Sequence, residues 1–349
     1  MRGRNLYSLP KLFIGGKRIS EFSNASVSFP GKNQINTLSV TIGDPEYQDA
    51  HLFNSKVEFY CGEGVSEGKP IFVGYVKEMN PSDTSISITA FDPRVFISGE
   101  EAEPIAITDK NNFDGFTTVQ FLTYIILEKI NTVDTIIDIS ALSDFNPETT
   151  MTGYRTDGKA PYEIFLEVMA KTVDYSNPED PLEFYVIMEG NKIIVDKKES
   201  LDSHRSFSLS YMDGIENINY IHRAPKTTAI GVGNGGGFGN FTYGNSPMGK
   251  VGSTFSSDKK NNAEIYEEAI INVMKSYNEQ KEIKVKVSRG YDIGLQSLVY
   301  LSVPDKNLRG NYRVTSKQIN VGKKQMDCTL GLDKRSPTLG DYLERKINL

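Results

Sequence analysis

The stretch RGNYRVTSKQINVGKKQMDCTLGL, residues 309–332, decides the fold. It contains two runs in which apolar and polar residues alternate, with a short polar segment between them. Such alternation buries one face of a β-strand and leaves the other face in water. The preceding run, SLVYLSVP (297–304), has the character of a third strand. Residues 297–333 are therefore predicted to form three strands joined by turns.

An earlier segment, residues 55–92, repeats this order over nearly the same length. Its strand-like runs are KVEFYCG (56–62), PIFVGYVKEMN (70–80) and SISITAFD (85–92). The segment closes on ITAFD, as the later one closes on TLGLD. Few residues are identical, so the shared order and spacing carry the comparison. We interpret the two segments as an internal repeat.

Helical periodicity appears in three segments, residues 116–131, 160–173 and 263–280. Thr117 and Gln120 fit a capping box at the start of the first segment. Asn261 is a candidate cap for the third segment. Residues 183–198 predict a hairpin of two strands around a Gly-Asn turn.

These elements predict an α+β protein that is mostly β, with two β-barrel or sandwich modules and a small α+β module between them. The first β module is expected over residues 1–99 and the α+β module, with two helices and a hairpin, over 100–205. The second β module is expected over 206–335, with a glycine-rich loop and an inserted helix. Residues 336–349 predict a short C-terminal tail helix.

The overall composition argues against several classes of protein. The formal net charge of the 349 residues is −6, so the chain lacks the basic surplus of proteins that grip a DNA duplex. The N-terminus has no apolar core of signal-peptide length, and no run approaches a membrane span. Cys61 and Cys328 lie in strand-like runs and are expected to be buried, reduced thiols of a protein folded in the cytoplasm.

The glycine-rich stretch GVGNGGGFGNFTYGNSPMGKVGST, residues 231–254, carries two nucleotide-binding patterns. Gly231, Gly233 and Gly236 fit G-x-G-x-x-G, but no helix is predicted directly after them. The second pattern is the P-loop, in which Gly244, Gly249 and Lys250 match. Its hydroxyl position is Val251, which cannot hold Mg²⁺. We therefore expect a long, mobile loop between a strand and the 263–280 helix, without nucleotide binding.

Other candidate sites lack the residues that their chemistry needs. Residues 109–115 resemble a calcium loop but place Phe113 at its fifth position and Asp114 where a glycine is required. The three histidines are not spaced as zinc ligands; they are His51, His204 and His222. The sequence thus predicts no catalytic, cofactor-binding or metal-binding residue, no cofactor and no enzymatic activity.

Three stretches resemble the baseplate-hub and tail-tip proteins of phages, the family of late-control-protein-D-like hubs. Residues 161–200 match the family's helix followed by a hairpin. Residues 266–304 match a helix, a strand and a glycine-containing step, here with Gly290 and Gly294. Residues 309–332 match its return strands, with Gly310, Tyr312 and Val314 in place, and residues 73–92 are the counterpart in the first module.

The resemblance implies a structural role in the virion tail or baseplate of a phage or phage-derived particle, such as a contractile injection system, assembled in the bacterial cytoplasm. It also implies that the two β-barrel or sandwich modules of each chain are tail-tube-like. A homotrimer would present six such modules and join the sixfold tail tube to a threefold spike or tip. The implied partners are the tail tube protein, the central spike or tip protein, and baseplate wedge or tape-measure proteins. DNA would pass through the lumen without specific binding, and no membrane insertion is expected.

Two alternatives remain open at this point. One is a tail-associated cell-wall hydrolase built on the same hub. The other is a carbohydrate-binding tail-tip protein, for which Phe238, Phe241 and Tyr243 are the clustered aromatic candidates.

Overall fold

The computed structural model describes residues 9–31, 34–43, 52–62, 65, 68–99, 115–117, 120–121, 123–124, 137–138, 140, 158–171, 184–197, 206–222, 226–243, 252–257, 259–278, 281–288, 290, 293–295, 297–322 and 326–334. The N-terminal strands are β1 (Lys11–Ile14), β2 (Lys17–Ile19), β3 (Phe22–Phe29), β4 (Thr37–Ile42), β5 (Lys56–Tyr60), β6 (Phe72–Pro81) and β7 (Ile86–Phe91). The middle elements are helix α1 (Pro161–Lys171) and the hairpin strands β8 (Phe184–Glu189) and β9 (Lys192–Lys197).

The C-terminal elements comprise nine strands and one helix among the described residues. The strands are β10 (Ser206–Ser210), β11 (Ile215–His222), β12 (Thr228–Gly233), β13 (Phe238–Thr242), β14 (Gly252–Ser257), β15 (Lys281–Val287), β16 (Leu298–Val303), β17 (Leu308–Val321) and β18 (Met326–Lys334). Helix α2 (Asn262–Asn278) lies between β14 and β15.

The two β halves repeat one topology. The first half has the antiparallel order β3-β4-β7-β6-β5, and the second has the antiparallel order β11-β15-β18-β17-β16. Strand for strand, β3 corresponds to β11, β4 to β15, and β5, β6 and β7 to β16, β17 and β18. The predicted internal repeat is therefore present in the strand order, including strands that the sequence comparison did not cover.

Bulges at matching positions support the equivalence of the two β halves. The β6–β7 ladder shifts register between Val76 and Glu78, and the β17–β18 ladder shifts between Val314 and Ser316. Val76 N–H donates to Ser55 O at 3.1 Å, and Val314 N–H donates to Ser297 O at 3.0 Å. A bulge inserts one residue and bends its strand, so bulges at equivalent places bend both halves alike.

One continuous sheet runs through both halves, because β17 also pairs with β3. Lys317–Val321 lie antiparallel to Ala25–Phe29, with Ile319 opposite Val27. Thirteen of the described strands thereby belong to a single sheet. We call this contact the β17–β3 joint.

Alternating residues of this sheet build the core, as the sequence predicts. Leu38, Val40 and Ile42 are buried on one face of β4, and Val299, Leu301 and Val303 are buried in β16. Burial of such side chains contributes roughly 1.5–3 kcal/mol each. Gly15 and Gly16 form a tight hairpin turn between β1 and β2, with φ of 56° and 78°.

The glycine-rich stretch is not the long loop that the sequence predicts. Its described residues form β12, a tight turn, β13 and β14, a three-stranded sheet packed against α2. A Cβ at Gly231 or Gly233 would lie within 2.6 Å of the Ile265 side chain, and one at Gly239 would lie 2.5 Å from Tyr266 N. The glycines therefore allow the helix to rest directly on the sheet backbone.

Both predicted helix caps are present. Thr117 N–H donates to Gln120 Oε1 at 2.9 Å, and Gln120 N–H donates to Thr117 Oγ1 at 3.2 Å. This reciprocal pair is a capping box. Asn261 Oδ1 accepts from Ala263 N–H at 3.0 Å at the start of α2.

Several predictions lie outside the described residues. They are the tail helix 336–349, most of the 116–131 helix, the calcium-like loop up to residue 114, and the P-loop match at Gly244, Gly249 and Lys250. No helix in the described part of the chain is both long and apolar enough to cross a membrane.

Candidate assembly surface

The turn at Gly236 belongs to a β-hairpin and not to a phosphate cradle. Gly233 N–H donates to Gly237 O at 2.8 Å, and Gly236 N–H donates to Gly233 O at 3.2 Å. Strand β13 follows at Phe238, where a dinucleotide fold would begin a helix. The Ile265 side chain covers Gly231 and Gly233, so the backbone there is closed to a ligand.

The residues that the structure describes contain no candidate metal site and no disulfide. No group of three His, Cys, Asp or Glu there is arranged to hold a metal ion. Cys61 and Cys328 are buried and form no disulfide, as predicted. His51 and His204 lie outside the described residues, and His222 ends strand β11.

A buried polar cluster fixes α1 to the first β half. Arg94 Nε donates to Asp92 Oδ1 at 3.0 Å, and Arg94 Nη1 donates to the Tyr162 hydroxyl at 2.9 Å. Arg94 Nη2 also donates to Gln34 O at 2.7 Å, and Asp92 Oδ2 accepts from Asn36 N–H at 2.6 Å.

This cluster has the character of a structural anchor. Arg94 and Asp92 are 2% and 1% exposed, so the pair is shielded from water. Burial raises the pKa of the Tyr162 hydroxyl, which favours the neutral form that accepts from Arg94. Sequence reasoning missed these residues because Tyr162 and Arg94 are 68 positions apart.

One face of the continuous sheet is polar across both halves. Ser39, Ser87, Gln318 and Asn219 are exposed there, while the intervening residues of the same strands point into the core. Hydrogen bonds between polar side chains cross the β17–β3 joint on this face. Ser26 Oγ donates to Asn320 Oδ1 at 2.8 Å, and Asn320 Nδ2 donates to Asp327 Oδ1 at 3.2 Å.

Charged side chains on this polar face are partly paired. Lys286 Nζ lies 3.2 Å from Asp327 Oδ2 and 3.6 Å from Glu216 Oε2. Hydroxyl and amide groups dominate the rest, with Ser26 opposite Ser39 and Ser39 opposite Thr89. The face can be wetted without offering a basic surface to nucleic acid.

The strand edges without a partner among the described strands include one in β11 and one in β6. Strand β11 pairs with β15 on one side only. In β6, Phe72–Tyr75 pair with β5, but Glu78–Pro81 pair with β7 alone. We call Glu78–Pro81 the β6 arm. Open backbone edges are templates for pairing with another chain.

Exposed apolar side chains lie beside both open edges. Tyr211 and Met212, just before β11, are 47% and 98% exposed, and Ile221 within β11 is 39% exposed. Phe53, which is 48% exposed, adjoins β6 because Asn54 N–H donates to Val76 O at 2.8 Å. Apolar groups beside open edges are typical of surfaces that another chain covers.

The three aromatic candidates for sugar binding do not form one platform. Phe241 and Tyr243 point toward α2 and pack on the cluster of Ala229, Ala269 and Val273. Phe238 has the opposite strand parity and lies beside Val232, both 53% exposed. The carbohydrate alternative therefore loses the clustered surface on which it depended.

Comparison with known proteins finds likeness in three dimensions and not in sequence. No protein-family model matches the chain, and no curated protein matches it in sequence. The crystal structure of a tail protein from Neisseria meningitidis MC58 superposes with a TM-score of 0.67 at 12% identity, covering 94% of this chain and 96% of that one. A 43 kDa tail protein of prophage MuSo2 from Shewanella oneidensis gives 0.67 at 11% identity, covering 93% and 97%.

A component of the type VI secretion system of E. coli is also similar. Its TM-score is 0.56 at 11% identity, and the match covers 93% of this chain and 77% of that one. The predicted mostly β, α+β architecture is confirmed. The chain has the fold of these two tail proteins and of the secretion component, which confirms at the level of fold the predicted resemblance to tail proteins.

Proposed function

We propose that the protein is a structural hub of a phage tail or phage-tail-like particle, a homotrimeric adaptor between the sixfold tail tube and a threefold spike or tip. The observation that carries the proposal is the repeated topology, in which β3-β4-β7-β6-β5 recurs as β11-β15-β18-β17-β16. Two similar modules in each chain let three chains imitate sixfold symmetry, since closed rings form through head-to-tail interfaces.

Described elements that are not repeated within the chain would give the trimer surfaces with threefold symmetry. Helix α1 with the β8–β9 hairpin lies between the repeated halves, and the β12–β14 sheet with α2 is inserted between β11 and β15 of the second half only. A ring of three chains would carry three copies of each. We propose that the domain bounds follow this plan, with modules at 1–99, 100–205 and 206–335 and a tail at 336–349.

The polar face of the continuous sheet suits the wall of a passage for DNA. Its exposed residues include serines, threonines, asparagines and glutamines, and two of its lysines are paired with carboxylates, Lys56 with Glu58 and Lys286 with Asp327. Affinity for DNA rises with each phosphate that a lysine or arginine neutralises. A face whose lysines are partly neutralised by carboxylates would let DNA pass without specific binding, as the net charge of −6 also favours.

Partners and location follow from the adaptor role. We propose that the trimer contacts the tail tube protein, the central spike or tip protein, and baseplate wedge or tape-measure proteins. It would reside in the virion tail or baseplate after assembly in the bacterial cytoplasm. The role requires no enzymatic activity and no cofactor.

Electron microscopy of the purified chain mixed with the tail tube and spike proteins of its own gene cluster tests the proposal. We expect rings that cap the tube and hold the spike along one axis. A zymogram on bacterial cell walls is the companion measurement. A cleared zone, or a chain that joins neither partner, would contradict a structural adaptor.

A further inference from the structure

We infer that β11 of one copy pairs antiparallel with the β6 arm of the next copy, so that the copies on either side of a chain cover these two edges. The inference rests on the proposed trimer and specifies which strands of neighbouring chains pair within it. Each chain offers these two different edges once among its described strands. Contacts between unlike edges run head to tail, as a closed ring requires.

The β17–β3 joint within the chain is the template for this contact. Under the repeat, β17 corresponds to β6 and β3 corresponds to β11. The joint that β17 and β3 form inside one chain therefore has a counterpart between β6 and β11, and these strands do not pair with each other within the chain. A neighbouring copy supplies the missing half of the contact.

The bulges set the register of the new contact. Counting from Lys77 and Thr315, the extra residues of β6 and β17, Asn80 corresponds to Gln318. Counting from the bulges in β3 and β11, Asn219 corresponds to Ser28. Gln318 lies opposite Ser28 in the template joint. Asn80 of one copy should therefore lie opposite Asn219 of the next.

The apolar groups beside the two edges fit the same template. At the β17–β3 joint, Leu295, Phe29 and Lys317 line one cleft of about 600 Å³, and Lys317 Nζ lies 5.8 Å from the Phe29 ring centre. The equivalents of these three residues are Phe53, Tyr220 and Met79. Leu295 is partly buried against the core, whereas Phe53 is 48% exposed in a single copy.

The contact between copies would thus bring Phe53 and Met79 of one chain beside Tyr220 of the next. A thioether beside an aromatic ring is a favourable pair. Phe53 is then exposed in a single copy because the neighbouring chain that would cover it is missing.

A disulfide test addresses the register directly. Asn80→Cys and Asn219→Cys are combined in one chain, which is oxidised mildly and run under denaturing, non-reducing conditions. Native Cys61 and Cys328 are both 0% exposed and should stay unreacted. We expect linked dimers and trimers and no larger species, because a ring of three closes. Each single variant, and Asn80→Cys combined with Asn240→Cys on the small sheet, should stay monomeric on the gel.

A second variant tests the apolar contact without touching a buried residue. Phe53→Ser should weaken self-association by tenfold or more and leave the melting temperature of the dilute chain within a degree. Val232→Ser, at 53% exposure on the small sheet, is the matched control and should change neither.

The outcomes separate the inference from the proposed function. Trimers that form by mass but neither cross-link nor respond to Phe53→Ser would overturn the β6–β11 contact and leave the adaptor standing. A ladder beyond the trimer would overturn the closed ring. A chain that never associates, alone or with its tail partners, would overturn both.

Discussion

Gly239 lies directly beneath the backbone of Tyr266, so that a Cβ on Gly239 would sit 2.5 Å from the Tyr266 nitrogen. Real Cβ atoms do not approach backbone atoms this closely. The helix α2 therefore packs on β13 only because position 239 has no side chain. The same relationship explains the glycines at positions 231, 233 and 237, where an added Cβ would lie within 2.6 Å of the Ile265 side chain.

Gly239→Ala should separate α2 from its sheet and lower the free energy of unfolding by about 1–3 kcal/mol, as overpacking does. Chemical denaturation followed by circular dichroism measures the loss. Gly43→Ala is the matched control, since nothing lies within 4 Å of its added Cβ. Equal stability of the two variants would show that the helix does not rest on the strand as described.

Arg94→Met should be among the most damaging single changes in the first half. It leaves the Asp92 carboxylate, 1% exposed, without its cation. Breaking a buried pair in this way costs about 3–5 kcal/mol. Urea denaturation gives the value, with the surface change Lys56→Met as a comparison expected to cost well under 1 kcal/mol. A loss no larger than that of the surface variant would contradict the anchor.

Tyr162→Phe should remove one hydrogen bond to Arg94 and about 1 kcal/mol of stability near neutral pH. Burial raises the pKa of Tyr162 above its unfolded value near 10. The folded chain therefore holds this proton more tightly, and its contribution is complete below about pH 10 and is lost as the pH rises through the folded pKa. The stability gap between wild type and Tyr162→Phe should narrow at alkaline pH in paired unfolding series. A gap that widens would be inconsistent with the raised pKa.

Nucleotides should leave the melting temperature unchanged. The Gly231–Gly236 pattern is a hairpin, and Ile265 covers its backbone. A true ligand at one hundred times its dissociation constant would add about 2.7 kcal/mol. Thermal scans with millimolar ATP and Mg²⁺, or with NAD, check the point. An upward shift of several degrees with either nucleotide would reinstate the phosphate-loop interpretation.

The alternation of apolar and polar residues made much of this fold predictable. A strand with one buried face has an apolar residue at every second position. Leu38, Val40 and Ile42 were readable in this way, as were the caps at Thr117 and Asn261, whose partners lie within three residues. The internal repeat was readable from the shared order and spacing of its strands along the chain.

Long-range relationships were not readable from the sequence. Ser26 and Asn320 meet across the β17–β3 joint from positions 294 residues apart, and no local pattern encodes that pairing. The glycine sheet was misjudged because glycine composition was taken as a loop signal. The spacing of Gly231, Gly233, Gly237 and Gly239 at even intervals was the available sign of a strand face beneath a helix.

The mass of the native particle in solution tests the central claim most directly. The chain has a mass of 38.9 kDa, and sedimentation or light scattering over a range of concentrations reports how many copies associate. The account predicts a species of three copies that accumulates as the concentration rises, with no open series of larger assemblies. A chain that remains a single copy at every concentration, alone and with its tube and spike partners, would contradict it.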